Sequence, residues 1–351
     1  MCTRRDFLET CAWSGAALAA GTWLGPQAAH ALGYDTKIEA RHYTKLDGKK
    51  VQCHICPLHC TLEAGQTCFC RTRTNHDGVL FNHAYNSPCV LNVDPIEKTP
   101  LLHFLPGTKS LALGLAGCNL RCLYCQNWQI AQDQPVNTKN MKLTSAEAVE
   151  QLRKQKLSSI AFTYTEPVSY YEYALETAAA ARKAGCKSVL ASGAFIEAKP
   201  MQELCVELDG LALALKGFTE EYYTKVCGVK LAPVLEAIQT AKASGRWLEL
   251  TTLIVPTYND GQKDVRELSR WVAKNLGPDV PLHFARFVPE YQLRKLPQTP
   301  VKTLEECRAI AMAEGLRFVY ISNVAPHEAN HTYCPGCKRA VVRRVGFRLI
   351  E

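Results

Sequence analysis

The chain has 351 residues, 17 cysteines and a formal net charge of +8. A hydrophobic fraction of 47% is enough for a packed core and excludes a disordered or collagen-like chain. The length allows two domains or one α/β barrel, and the positive charge forms no basic stripe with aromatic residues, so nucleic-acid binding is not expected. Many cysteines lie two or three residues apart, a spacing that favours metal binding over a secreted disulfide framework.

The N-terminus has the pattern of a twin-arginine signal peptide, which we expect to cover residues 1–31. Arg4 and Arg5 precede an apolar, uncharged segment from Cys11 to Leu24, and Ala29-His30-Ala31 offers a cleavage site. An internal amphipathic or membrane helix is the alternative, but about 14 apolar residues are too few to cross a bilayer. The pattern predicts export to the periplasm, with the cytoplasm as the alternative location, and a mature chain without a stable membrane span.

The remaining chain divides into three predicted parts. A cysteine-rich metal-binding module and a connector cover residues 32–109, a barrel covers residues 110–323, and a tail with a Cys-x2-Cys pair covers residues 324–351. Within the first part, residues 94–107 are predicted to be rich in loops.

The central part alternates short apolar runs with longer helical segments. Strands are predicted at Leu111–Leu115, Ser159–Thr163, Ser188–Ala191, Leu211–Leu215, Leu248–Val255, Leu282–Phe287 and Phe318–Ile321. Helices are predicted after the capping boxes that begin at Thr144 and Thr303, and at Tyr170–Lys183 and Asp264–Asn275. This alternation predicts βαβ units with a parallel sheet, and the lack of a nucleotide-type glycine-rich turn favours a full or partial barrel over a doubly wound sheet.

Three cysteines follow the first predicted strand of the barrel. Cys118, Cys122 and Cys125 have the spacing Cys-x3-Cys-x2-Cys on one loop, where a barrel carries its active site. Four thiolates would close an iron–sulfur cubane, whereas three leave one iron open to bind S-adenosylmethionine and reduce its sulfonium. A structural zinc loop that recruits a fourth ligand is the alternative.

The chain resembles the radical S-adenosylmethionine enzymes, and more closely the AmmeMemoRadiSam-system radical enzymes, often described as homologues of pyruvate formate-lyase activating enzyme. The resemblance runs from Cys53 to the C-terminus. Its short motifs are Asp94-Pro95-Ile96-Glu97-Lys98, His103-Phe104-Leu105-Pro106-Gly107, Gly117-Cys118-Asn119, Cys125-Gln126-Asn127-Trp128, Thr163-Tyr164-Thr165-Glu166-Pro167, Pro256-Thr257-Tyr258-Asn259-Asp260 and Arg286-Phe287-Val288-Pro289. It implies an α/β fold, a partial (βα)6 barrel of the TIM type, behind an N-terminal cysteine-rich module.

The resemblance also assigns site residues. Cys118, Cys122 and Cys125 match the ligands of a [4Fe-4S] cluster, and the backbone of Tyr124 would meet the adenine of S-adenosylmethionine. Glu166 falls where the family contacts the methionine amino group; a solvated loop glutamate is the alternative.

Other positions depart from the family pattern or carry alternatives. Ser192 stands where the family usually has asparagine, and the resemblance implies a ribose or carboxylate contact at this position. Lys216 is expected to point into the site, although Ala214 replaces the acid of the usual Asp-Leu-Lys; a surface lysine is the alternative. Asn259 and Arg286 are further candidates that could instead serve as structural caps or pairs.

A second group of cysteines flanks the barrel: Cys53, Cys56, Cys60, Cys70, Cys334 and Cys337. Either the first four form one closed site, with zinc favoured over an auxiliary iron–sulfur cluster, or Cys53 and Cys56 pair with Cys334 and Cys337 as two knuckles. His54 and His59 are expected to be bystanders. The mature chain has six other cysteines: Cys68, Cys89, Cys186, Cys205, Cys227 and Cys307. Of these, Cys186 and Cys307 are expected to be small buried apolar residues.

The predicted function is reductive cleavage of S-adenosylmethionine to methionine and a 5′-deoxyadenosyl radical, which abstracts hydrogen from a substrate. The resemblance implies a low-potential electron donor and either a small molecule or a backbone glycine of a protein as substrate, with Memo-like and AMMECR-like proteins as partners. The alternative is an exported, non-catalytic iron–sulfur or zinc protein for electron transfer.

Overall fold

A computed structural model describes residues 36–351. The signal peptide predicted at residues 1–31 therefore lies outside the described residues. No helix within residues 36–351 combines the length and the apolar character that crossing a membrane requires.

Eighteen strands occur in the described part of the chain. They are β1 (Ile38–Glu39), β2 (Tyr43–Lys45), β3 (Val51–Cys53), β4 (Thr61–Leu62), β5 (Arg73–His76), β6 (Val79–Asn82), β7 (Val90–Pro95), β8 (Lys109–Gly114), β9 (Ser159–Phe162), β10 (Lys187–Ser192), β11 (Gly210–Ala214), β12 (Trp247–Ile254), β13 (Leu282–Arg286), β14 (Val319–Ser322), β15 (Thr332–Tyr333), β16 (Ala340–Val342), β17 (Arg344–Val345) and β18 (Arg348–Leu349).

The α-helices are α1 (Trp128–Ala131), α2 (Ser145–Lys154), α3 (Tyr171–Lys183), α4 (Ala198–Glu207), α5 (Glu220–Tyr222), α6 (Ala232–Ala243), α7 (Gln262–Asn275) and α8 (Val301–Ala313). A π-helical turn spans Tyr223–Cys227. Short 3-10 turns occupy Asp47–Lys49, Ile96–Lys98, Pro135–Asn137, Pro167–Tyr170, Tyr291–Leu293 and Glu328–Asn330.

The main sheet has eight strands in the order β14-β13-β12-β11-β10-β9-β8-β7. Neighbours from β8 to β14 are parallel, and β7 pairs antiparallel with β8 at the edge. Because both faces of such a sheet are covered, its strands are nearly continuous apolar runs, as in the fully buried β9. The predicted α/β class with a partial barrel is confirmed, and within residues 36–351 no pairing closes the sheet into a ring.

The first residues of the predicted loop-rich connector differ from the prediction. Residues 90–95 form the edge strand β7, and its proline is tolerated because it lies at the end of an edge strand. The three-stranded sheets β1-β6-β5 and β2-β3-β4 organise the cysteine-rich part of the chain.

Small side chains keep the interior of the curved sheet narrow. Ala112, Ala161 and Ala212 pack inside it against Ile96 and Leu101. Buried Glu249 on β12 accepts hydrogen bonds from the backbone nitrogens of residues 102 and 103 and from a neighbouring histidine on β13. These contacts fill the end of the sheet where its strands begin and leave the opposite end for a site.

Candidate functional site

The loop after β8 holds three cysteines close together. The backbone nitrogen of Cys125 donates to the carbonyl of Cys122 at 3.1 Å, which forms a tight turn between them. Charge on either of these thiols acts on Cys118, so the three sulfur atoms are near neighbours. Burial raises the pKa of Cys118, and it raises the pKa of Cys125 to about 11.

The three cysteines form one wall of a cavity of about 320 Å³ at the end of the parallel sheet where its strands finish. The other walls come from the ends of β9 to β13, and alanines and a glycine there leave the space open. Predicted site residues that line the cavity are Cys118, Cys122, Tyr124, Cys125, Glu166, Ser192 and Lys216. Thr251 and Asn127 also line it and were missed by sequence reasoning.

Glu166 follows β9 and is 2% exposed. Its Oε1 accepts from Ser192 Oγ at 2.6 Å and from the Val168 nitrogen at 3.3 Å, and its Oε2 accepts from the Gly193 nitrogen at 2.7 Å. Burial raises the pKa of Glu166, although these hydrogen bonds oppose the shift. A carboxylate has about four acceptor sites, so three donors leave one acceptor site.

Lys216 follows β11 and lies near the cysteines. Its Nζ is 5.9 Å from the centre of the Tyr124 ring. Burial would lower the pKa of Lys216, but negative charge on Cys122 raises it above its usual range. The ammonium therefore remains charged and counters negative charge on the thiolates.

Two predicted site residues bind backbone groups instead. Asn259 accepts from the Val255 nitrogen at 2.7 Å and donates to the carbonyls of Lys216 and Leu253, each at 2.8 Å. Arg286 Nε donates to the Thr299 carbonyl at 2.8 Å. The structure does not bring either side chain into the wall of the cavity, which matches the structural alternative given above.

Four thiols of the N-terminal module contact one another. Cys68, which the sequence reasoning left out of any site, has its side chain within hydrogen-bonding range of Cys53, Cys60 and Cys70. These bonds lower the pKa of Cys60 to about 7 and that of Cys70 to about 6. Cys56 is also close, since charge on Cys53 and Cys70 acts on it.

The C-terminal cysteines lie elsewhere. Cys334 lines a cavity together with Phe318 and Tyr320, near the start of β14, and Cys337 follows in the same turn. The N-terminal thiols lie at the other end of the sheet, because Cys70 and Thr72 pack on Gly117 in the loop after β8. The structure therefore does not bring the two Cys-x2-Cys pairs together as knuckles.

His54 and His59, which lie beside the N-terminal cysteines in the sequence, are both partly exposed. His59 Nε2 is 3.0 Å from Glu197, and His54 Nδ1 is 3.4 Å from His59 Nδ1. Within residues 36–351, no three histidine, cysteine, aspartate or glutamate side chains are arranged to hold a single metal ion.

Comparisons with known proteins add to this geometry. The Radical SAM superfamily matches residues 114–272. An uncharacterized protein of Methanocaldococcus jannaschii is 44% identical over 309 residues, which cover 88% of this chain and 92% of that protein.

Two solved structures are similar at lower identity. A domain of pyruvate-formate lyase-activating enzyme from Bacteroides vulgatus is 14% identical, with a TM-score of 0.42, and the match covers 47% of this chain and 98% of that domain. SuiB of Streptococcus suis bound to S-adenosylmethionine is 14% identical, with a TM-score of 0.47, and the match covers 62% of this chain and 51% of SuiB.

Proposed function

The chain belongs to the radical SAM superfamily, and from this premise we propose that it cleaves S-adenosylmethionine reductively at a [4Fe-4S] cluster held by Cys118, Cys122 and Cys125. The observation that carries the proposal is one cavity that combines three thiols with Glu166 and Lys216. A set of three thiols on one loop fits a cubane with one iron free for a substrate.

The chain's own residues bind and orient S-adenosylmethionine. When bound, the cluster supplies one electron to S-adenosylmethionine, which yields methionine and a 5′-deoxyadenosyl radical that abstracts hydrogen. The remaining acceptor site of Glu166 accepts from the methionine ammonium, since a buried ammonium needs a charged partner. Lys216 stabilises the negative charge of the thiolates, and Ser192 holds Glu166 in place.

Substitution of one cluster ligand tests this proposal. We expect Cys122→Ala to lose both the cluster and 5′-deoxyadenosine formation after anaerobic reconstitution and reduction with dithionite. Cys186→Ala is the matched control, because Cys186 is a partly buried cysteine that precedes β10 and does not line the cavity. Unchanged 5′-deoxyadenosine formation in Cys122→Ala would overturn the proposal, and a wild-type cluster that cycles electrons without cleavage would favour an electron-transfer protein.

We propose that the substrate class follows the AmmeMemoRadiSam resemblance. The ordered motifs from Asp94 to Pro289 support this placement, and they imply Memo-like and AMMECR-like partners and a small molecule or a backbone glycine as substrate. Co-purification of the reconstituted protein with each partner, followed by mass spectrometry of glycine oxidation or cleavage, tests it. Absence of binding to both partners would contradict the proposal.

We also propose that the N-terminal thiols hold a closed metal site, with zinc favoured over an auxiliary iron–sulfur cluster. The support is the contact of Cys68 with three other thiols, because thiolates that bind one ion lie close together. Metal content, with zinc and iron measured separately, should fall in Cys60→Ser and stay constant in Cys334→Ser, since Cys334 lies at the opposite end of the sheet. Equal losses of metal in the two variants would exclude an N-terminal site.

Export is a further proposal from the sequence. The pair Arg4 and Arg5 supports it, because a paired arginine in this position is read by a receptor. The double variant Arg4→Lys, Arg5→Lys keeps the charge and should remain in the cytoplasm. If the wild-type protein and the double variant are found in the same cell fraction, export by this route is contradicted.

A further inference from the structure

Cys227 is a cysteine that neither the family resemblance nor the proposed function assigns. It ends the π-helical turn that follows β11, and it is 0% exposed. Gly228 then takes a left-handed conformation with φ of 74°, and a Cβ at Gly228 would lie 2.9 Å from Cβ of Arg121. The turn is therefore packed against the loop that carries the cluster cysteines.

Two backbone hydrogen bonds hold the turn beside Cys122. The nitrogen of Arg121 donates to the carbonyl of Cys227 at 2.8 Å, and the nitrogen of Leu123 donates to the carbonyl of Val226 at 3.0 Å. These bonds are made by the residues on either side of Cys122. They place the Cys122 and Cys227 side chains within hydrogen-bonding range of each other.

Cys227 lies outside the Cys-x3-Cys-x2-Cys loop, and its side chain is fully buried. Its S–H therefore has no water to bind and donates to a neighbouring protein group. The Tyr124 hydroxyl lies 3.8 Å from Cys227 Sγ on the same side of the loop.

We propose that Cys227 is a positioning residue whose S–H donates a hydrogen bond to the Cys122 sulfur and thereby raises the reduction potential of the cluster. The inference rests on the proposed function, since it requires the cluster at Cys118, Cys122 and Cys125. A reduced cluster carries more negative charge on its sulfur ligands, so a donor to one of them favours the reduced form.

Two substitutions at one position separate the hydrogen bond from the packing. Cys227→Ala removes the donor, whereas Cys227→Ser keeps a donor in a similar volume. Cys205→Ala is the control, because Cys205 is equally buried (2% exposed) but lies on α4 against Ser244 and Arg246. Each protein is reconstituted anaerobically, its iron is counted, and its cluster is titrated with a reductant while the signal of the reduced cluster is followed by electron paramagnetic resonance.

At the midpoint potential of the wild-type cluster, the ratio of reduced to oxidised cluster should be roughly fivefold lower in Cys227→Ala. This factor corresponds to the net free energy of one hydrogen bond. For one electron this is a shift of about 40 mV to more negative potential. Cys227→Ser and Cys205→Ala should stay near the wild-type potential. An unchanged potential in Cys227→Ala, or equal shifts in the alanine and serine variants, would overturn the inference while leaving the proposed function in place. A wild-type protein that takes up no cluster would overturn both.

Discussion

Glu172 joins the N-terminal module to the barrel, and its replacement by glutamine tests that joint. It lies in the first turn of α3 and is 5% exposed. Its Oε1 accepts from Arg73 Nη2 at 2.7 Å and from the Arg41 nitrogen at 2.8 Å, and its Oε2 accepts from Asn82 Nδ2 at 2.7 Å. Three segments of the module therefore converge on one carboxylate of the barrel.

The expected loss of folding stability in Glu172→Gln follows from the buried charge that loses its partner. Arg73 is 0% exposed and its charge would lose its partner, which costs about 3–5 kcal/mol in buried pairs. Replacing Arg73 as well removes the stranded charge, because an apolar side chain needs no counter-ion. We therefore expect the double variant Arg73→Met, Glu172→Gln to be more stable than Glu172→Gln alone.

Urea unfolding of the metal-free proteins, followed by circular dichroism, measures these differences. Glu176→Gln is the matched control, because Glu176 lies one turn further along α3 and is exposed. In the described part of the chain its carboxylate accepts a hydrogen bond from the Tyr85 hydroxyl. Its change should stay within about 0.5 kcal/mol. A loss below about 1 kcal/mol in Glu172→Gln, or a double variant less stable than the single one, would refute the reasoning.

Three further variants have defined outcomes. Gly117→Ala should abolish iron uptake with the helix content unchanged, because φ is 90° and the new Cβ would lie 2.6 Å from the Cys70 carbonyl. Glu166→Gln should cost about 1–3 kcal/mol in urea unfolding, because its amide NH2 cannot accept and would face the backbone N–H of either Val168 or Gly193. Burial raises the pKa of Glu166, so the folded state binds a proton more tightly than the unfolded state. The free energy of unfolding therefore falls as the pH rises from the pKa of the unfolded state, near 4.3, through the higher pKa of the folded state. Glu166→Gln should lack this pH dependence. Thr144→Ala should cost about 1 kcal/mol in thermal unfolding, because it removes the N-cap of α2.

The parallel strands could be predicted from the sequence because each is a short apolar run buried on both faces. All seven predicted strands are present, and their ends differ from the prediction by at most two residues. The capping box at Thr144 is also present, whereas α8 begins at Val301, before the predicted box at Thr303. The N-cap of α8 is therefore Pro300, which makes no side-chain cap.

Besides the short helices α1 and α5, two longer helices were missed in the sequence, and both carry prolines near their first turns. Pro200 lies in the first turn of α4 and Pro233 in the first turn of α6, where the missing N–H has no helical partner to lose. In a sequence these prolines resemble breaks between elements. Once a proline is assigned to the first turn, the apolar residues behind it fit a helix.

The site shows the same division between local and distant information. Cys118, Cys122 and Cys125 could be found because they lie on one loop, so their spacing alone brings them together. Cys227 is far along the chain from Cys122, so the spacing of cysteines in the sequence does not predict that their side chains lie close together. Asn259 was predicted from its place after a strand, but the backbone groups that hold its side chain depend on how the following turn folds.

Arg121 connects the two groups of thiols. Its guanidinium lies 3.5 Å from the centre of the Phe69 ring and donates to the Cys118 carbonyl at 2.9 Å. Burial lowers its pKa to about 10, so it is still positively charged at neutral pH, and negative charge on Cys118 and on Cys70 is attracted to it. Since Coulomb attraction is pairwise, this one cation stabilises negative charge on both groups at the same time. The loop that carries Cys118 and the N-terminal module therefore share an electrostatic partner in Arg121 as well as their packing contacts.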